Sequence, residues 1–138
     1  MNKLTGISVV ALTVFAAAIT AQVQKGKTQP LETKTWMKNV NGPQCSNLAK
    51  LLKAGPADDK QWADVVMNAQ MLNEAGYVLM ADGRCPDKVW ADATKMLKDG
   101  SAAILKAAES KNTAEAMTAL NNSVLAACKS CHGAHRKQ

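Results

Sequence analysis

Cys128-Lys129-Ser130-Cys131-His132 is the stretch around which the rest of the chain is organised. C-x-x-C-H is the attachment signature of a c-type haem. Two thiols must add to the two vinyl groups on one edge of a porphyrin, and a histidine must reach the iron from one side of the ring. On a helix, residues three and four apart share a face. Cys128, Cys131 and His132 therefore point the same way, with His132 set to be the proximal iron ligand. One covalent haem c is the expected cofactor. A thioredoxin-like dithiol would want a βαβ pattern nearby, and none is visible. A zinc site built from Cys128, Cys131, His132 and His135 has its histidines closer than the usual spacing, and the adjacent Cys131-His132 pair is cramped for a tetrahedron. His135 reads as an exposed tail residue.

Working outward, the periodicity is helical throughout. Met117, Leu120, Val124, Cys128 and Cys131 form one stripe, so the motif occupies the last turns of a helix over about 113–135. Asn112 with Glu115 three residues on predicts a capping box at its start. A helix over 87–110 carries Val89, Trp90, Ala93, Met96, Leu97, Ile104 and Leu105, with Gly100 inside it as a point of close packing or a bend. Another over 58–81 carries Trp62, Val65, Val66, Ala69, Leu72, Leu79 and Met80 and stops at Asp82-Gly83. The first, over 31–54, is interrupted by Asn41-Gly42-Pro43, where Pro43 predicts a kink or break. Gln22 to Gln29 reads as a flexible leader. Four amphipathic helices with short connections predict an all-α fold, an antiparallel four-helix bundle with haem attached on its C-terminal helix. A bundle this small has a thin core, so a buried haem would form much of its apolar interior.

Residues 1–21 look like a secretory signal: Lys3, a mostly apolar run from Leu4 to Ala18, then small residues. Cleavage after Ala21 leaves residues 22–138 as one domain in the periplasm. No Cys sits at that cut, so lipidation is not expected. An uncleaved anchor is the competing reading, disfavoured by the Thr and Ala content. The rest of the chain has no transmembrane run, so no stable membrane insertion is expected after cleavage. The 138 residues carry 17 Lys+Arg against 11 Asp+Glu, a formal +6 that becomes +5 once Lys3 is removed. The basic residues are scattered, which excludes nucleic acid as a natural partner. A modest positive field, with Lys129, Arg136 and Lys137 near the motif, suits an acidic redox partner or is simply a solvated surface. Cys45 and Cys85, forty positions apart, are the remaining thiols of an exported chain. They form either a disulfide, worth about 4 kcal/mol in the chain-entropy view, or two buried free thiols.

A four-helix chain with a single C-x-x-C-H near its C-terminus resembles the class II cytochromes c, the cytochrome c′ family. The resemblance spans the mature chain in layout and is specific at Cys128, Cys131 and His132. It implies that the first helix crosses the far face of the haem and presents the distal residue. Trp36-Met37-Lys38 followed by Asn41-Gly42 looks like the Met-Lys-x-Asn-Gly pattern of the family's low-spin branch, with one extra residue before Asn-Gly. Met37 is thereby the candidate distal ligand, against the ordinary reading of a helical Met as core. Met67, Met71, Met80, Met96 and Met117 read as core or surface filling. The Cys45/Cys85 pair departs from typical members. The resemblance also implies homodimers packed through the early helices. With His132 and Met37 on the iron the chain is a single-electron carrier, because an iron held in both oxidation states reorganises little. If Met37 misses the iron, the chain is a five-coordinate module for nitric oxide or carbon monoxide. An enzyme has no distal His/Arg pair to rest on.

Overall fold

The computed structural model describes Gly26 and residues 29–136. The expected export signal over 1–21, its cleavage site, and Lys137 lie outside the described residues. Among the described residues there is no strand, and the fold is all-helical. Helix α1 spans residues 33–54 in three pieces: Thr33–Trp36, a π-helical turn Met37–Asn41, and Gly42–Ala54. Helices α2, Asp59–Met80, and α3, Lys88–Glu109, are regular throughout. Helix α4 spans residues 113–135 and repeats the pattern of α1: Thr113–Ala119, a π-helical turn Leu120–Leu125, then Ala126–His135. These bounds fall within two residues of those read from periodicity. No helix is long and apolar enough to cross a membrane among the described residues.

The helix ends follow from local chemistry. Asp58 and Asp87 cap α2 and α3, accepting the amide hydrogens of Gln61 at 2.7 Å and Trp90 at 2.9 Å. Asn112 caps α4 by accepting from the Glu115 amide at 3.1 Å. The reciprocal half of the expected capping box is not made, because the Asn112 amide donates instead to the Ala107 carbonyl at 2.9 Å. α1 stops at Gly55, whose φ of 76° suits glycine. At Pro43 the structure departs from the expected break. Pro43 has no N–H to return to the preceding turn, and the helix runs on through the wider π turn just before it.

α2 and α3 pack along their length and bury Trp62, Val65, Leu72, Trp90, Leu97 and Ile104. α1 adds Leu48 and Leu52, and α4 adds Leu120, Val124 and Ala127. Gly100 is a close approach of α3 to α4: a Cβ there would lie 2.6 Å from the Ser123 Cβ. Close packing is thus its role, and it faces the π turn of α4. Three residues assigned to apolar stripes are instead exposed, Val89, Met96 and Met80. Val89 and Met96 lie seven apart on the flank of the α3 stripe, where a period of 3.6 cannot separate edge from core.

Arg84, in the α2–α3 loop, is 1 % exposed. It donates to the Thr33 hydroxyl at 3.0 Å and the Leu31 carbonyl at 2.8 Å. The Gln29 amide donates to Asp82 at 2.9 Å. The segment leading into α1 is therefore held on that loop, and so is the first turn of α1, one turn ahead of Met37.

Candidate functional site

A cavity of about 350 Å³ lies among the four helices. α1 supplies Met37, Asn41 and Cys45; α2 supplies Leu72 and Leu79; α3 supplies Ala93, Thr94 and Leu97; α4 supplies Leu125, Ala127, Cys128, Cys131 and His132. The wall is almost wholly apolar, and the exposed residues Gly42, Ser46, Leu125 and His132 mark its rim. The structure thus brings the three motif residues and Met37 to one space, from two different helices.

The motif residues differ in environment. Cys131 is buried, and burial, with Asp87 nearby, pushes its thiol up to about 11. Cys128 is half-buried; a hydrogen bond to Cys45, then burial, raises its thiol above the ordinary range. Both are therefore S–H groups at neutral pH. His132 is exposed at the rim, yet partial burial and then the Arg136 charge lower it below the usual histidine range. Its imidazole is neutral at pH 7, which leaves a ring nitrogen lone pair for a metal.

Cys45 does not pair with Cys85. Both are free thiols, as are Cys128 and Cys131. This corrects the expected disulfide, and the reason is the facing of α1. Cys45 lines the cavity, as does Cys128, whose thiol lowers that of Cys45. The Cys85 thiol lies 3.4 Å from the Asp87 carbonyl oxygen at the opening of α3.

Met37 is half-buried and opens the π turn of α1. The Gly42 amide donates to the Met37 carbonyl five residues back, which defines that turn. Gly42 suits the position because a Cβ there would lie 3.1 Å from the Met37 carbonyl oxygen. Asn41, on the cavity wall, keeps a buried Oδ1 without a hydrogen-bond partner.

His135 is the clearest residue that the sequence reading placed wrongly. It is 6 % exposed, edge-on to Trp90 with ring centroids 5.4 Å apart. Its Nε2 lies 3.4 Å from Asp87 Oδ1, and neither nitrogen has a hydrogen-bond partner. The signal was present: His135 is four residues past buried Cys131, on the stripe of Leu120, Val124 and Ala127. The zinc constellation is not assembled, since no three His, Cys, Asp or Glu side chains are grouped for a metal among the described residues. Arg84 carried no such signal, being a lone charge in a loop. No family model, curated protein or solved structure matches the chain.

Proposed function

We propose that this chain is a c-type cytochrome of the class II kind, an antiparallel four-helix bundle that carries single electrons through one covalently attached haem in the periplasm. The observation that carries this reading is the convergence of Cys128, Cys131 and His132 from α4 with Met37 from α1 on one apolar cavity. The residues suit the group on three counts. The wall is apolar, as a porphyrin face requires. The donors are two protonated thiols, a neutral imidazole and a thioether, the set that C-x-x-C-H chemistry with methionine ligation uses. And the Asn41 Oδ1 is a buried acceptor left without a partner on that wall.

The π turn supports Met37 as the distal ligand. In the low-spin pattern Met-Lys-x-Asn-Gly, the glycine is four residues after the methionine, the spacing of an α-helical hydrogen bond. Here it is five residues on, and the Gly42 amide still donates to the Met37 carbonyl. The wider turn absorbs the additional residue. The register between Met37 and the rest of α1 is thus the one the shorter pattern would have.

In this reading Cys128 and Cys131 would hold the haem by thioether bonds, and His132 and Met37 would offer nitrogen and sulfur to its iron. The haem supplies one-electron iron redox chemistry. Leu72, Leu79, Ala93 and Leu97 line the cavity and would keep water from it. Leu48 and Leu52 seat α1 on the core, which would hold Met37 in place. The exposed rim at His132 is the route for electrons, and exposed Lys129 and Arg136 flank it, ready to steer an acidic partner.

The test is spectroscopic. The chain made with a haem-maturation system is expected to give low-spin ferric and ferrous spectra with a methionine-to-iron charge-transfer band, unmoved by carbon monoxide. Met37→Ala should lose the band and bind carbon monoxide at once. A high-spin wild-type spectrum that shifts immediately with carbon monoxide would replace the electron carrier by a gas-binding module, and no covalent haem at all would overturn both.

A further inference from the structure

Helix α1 reaches Met37 with little support of its own. Its first piece, Thr33–Trp36, is a single turn with no side-chain hydrogen bond at its N-cap, and one turn of helix is unstable alone. The next piece is the π turn Met37–Asn41, and Pro43 follows it. Leu48 and Leu52, which seat α1 on the core, lie beyond both. The turn ahead of Met37 is fastened from another part of the chain, by Arg84. Its guanidinium donates to the Thr33 hydroxyl at 3.0 Å and to the Leu31 carbonyl at 2.8 Å. The Met37 amide donates in turn to the Thr33 carbonyl. Thr33 thus takes the guanidinium on its side chain and Met37 on its backbone. Thr33 and Arg84 are each 1 % exposed.

Arg84 is itself fixed in place. Asp82 and Gly83 have φ of 58° and 73°, and the Arg84 amide donates to the Ala81 carbonyl at 3.1 Å. Two left-handed central residues closed by that bond follow the pattern of a type I′ turn. The turn leads from the end of α2 towards the Asp87 cap of α3. The segment before α1 fits the same platform. A Cβ on Gly26 would run into the Asp82 carboxylate and lie 3.0 Å from Arg84 Nη2, and the Gln29 amide donates to Asp82. The buried guanidinium leaves its Nε without a partner. Burying a charge with an unmet donor costs stability, so this is a poor device for stability alone. We propose that Arg84 is the positioning residue for Met37: it carries the fixed geometry of the α2–α3 loop, through Thr33, to the register at which Met37 lines the cavity. The tether stands by itself; its consequence for an iron ligand rests on the electron-carrier reading. The planar fork of arginine meets both acceptors at once, which a lysine ammonium does not reproduce. Without Arg84, Met37 would sit on an unanchored turn next to a π turn, and its thioether would be lost to the iron.

The full chain made with a haem-maturation system should be compared as wild type, Arg84→Ala, Arg84→Lys, Thr33→Val and a core control, Ile104→Ala. Arg84→Ala is expected to keep its covalent haem, lose the methionine-to-iron band and bind carbon monoxide at once. Arg84→Lys and Thr33→Val should each retain part of the band. Hydrogen exchange over residues 33–41, read by mass spectrometry on the same preparations, should quicken several-fold in Arg84→Ala while α2 and α3 stay as in wild type. Ile104→Ala removes a fully buried side chain of α3. It should lower the urea midpoint at least as far as Arg84→Ala and still keep the band, which separates positioning from a general loss of stability. A band retained in Arg84→Ala, or lost equally in Ile104→Ala, overturns the role at the iron. Unchanged exchange over residues 33–41 overturns the tether. Should Arg84→Ala fail to fold, the other two variants decide: a full band and wild-type exchange in both overturns the proposal. A wild type without covalent haem, or without the band, overturns the electron-carrier reading, while exchange in the same proteins still decides the tether.

Discussion

The two middle helices and the two terminal ones of the described chain are built on different principles. α2 and α3 are each 22 residues of unbroken α-helix, capped by Asp58 and Asp87 and packed on each other. α1 and α4 each contain a π turn, and each carries the side chains with chemistry in them. The regular pair supplies Trp62, Val65, Trp90 and Ile104 to a closed core. The irregular pair brings sulfur and imidazole to a cavity that the core does not fill. A π turn inserts one residue without ending the helix, so it re-aims the residues beyond it while keeping the backbone hydrogen-bonded. Regularity here goes with stability, and irregularity with the placing of reactive groups.

Trp90 gives the most severe way to break that comparison. It is 2 % exposed, donates from its indole nitrogen to the Leu79 carbonyl at 2.8 Å, and meets His135 of α4 edge-on. It therefore joins the regular pair to each other and to the end of the helix that carries the motif. Trp90→Ala should destabilise by about 3–5 kcal/mol, read as a lowered urea midpoint by circular dichroism. A loss below about 1 kcal/mol would mean that the α2–α3 core does not carry the fold. The Met37→Ala variant should show the opposite balance: a small shift in the urea midpoint and, on the proposed function, a large change in the haem spectrum.

Gly100 tests the seam between the two kinds of helix. A Cβ there would come within 2.6 Å of the Ser123 Cβ and 3.1 Å of both the Val124 amide nitrogen and its Cγ2. Backbone and a β-branched side chain cannot swing aside, so α3 and the π turn of α4 must separate. Gly100→Ala should cost about 1–3 kcal/mol despite the helix propensity gained. The added methyl displaces Ser123 and Val124 of the π turn, so on the proposed function covalent haem yield should fall with stability. If the variant instead gained stability, the close approach at this seam would be wrong.

The helices were legible because burial on one face writes a period of 3.6 into the sequence, and Trp62, Val65, Ala69 and Leu72 follow it cleanly. The motif was legible because C-x-x-C-H is local: its three side chains lie within a turn of one another. What failed depended on the π turns. Which way Cys45 faces is set by how α1 rotates after Met37, and counting residues at 100° each misses one residue of rotation. Pairing Cys45 with Cys85 was an argument from the number of thiols and could not see that rotation. His135 was different, since its stripe was readable and only its place near the end suggested exposure. Arg84 could not have been found, because its partners at Thr33 and Leu31 are joined to it by tertiary folding alone.

Gly76 offers the smallest expected effect and isolates the question of what a glycine is for. It is buried in the middle of α2, and a Cβ there would lie 2.2 Å from the Lys98 Cγ and 2.9 Å from its Cδ. On distance alone it is a tighter site than Gly100. The obstacle, though, is a flexible stem whose ammonium sits over the exposed Tyr77 ring, 4.4 Å from its centroid. Lys98 can choose another rotamer and lose only a surface cation–π contact, worth about 0.5–1 kcal/mol. Alanine in place of a mid-helix glycine returns about 1 kcal/mol. The two nearly cancel, so Gly76→Ala should shift stability by less than about 1 kcal/mol. The same urea titration that registers Gly100→Ala checks it. A cost at Gly76 equal to that at Gly100 would mean that α2 and α3 are packed backbone to backbone there. The regular pair would then be as intolerant as the seam with α4, and the division between a forgiving scaffold and an exacting cavity wall would fail.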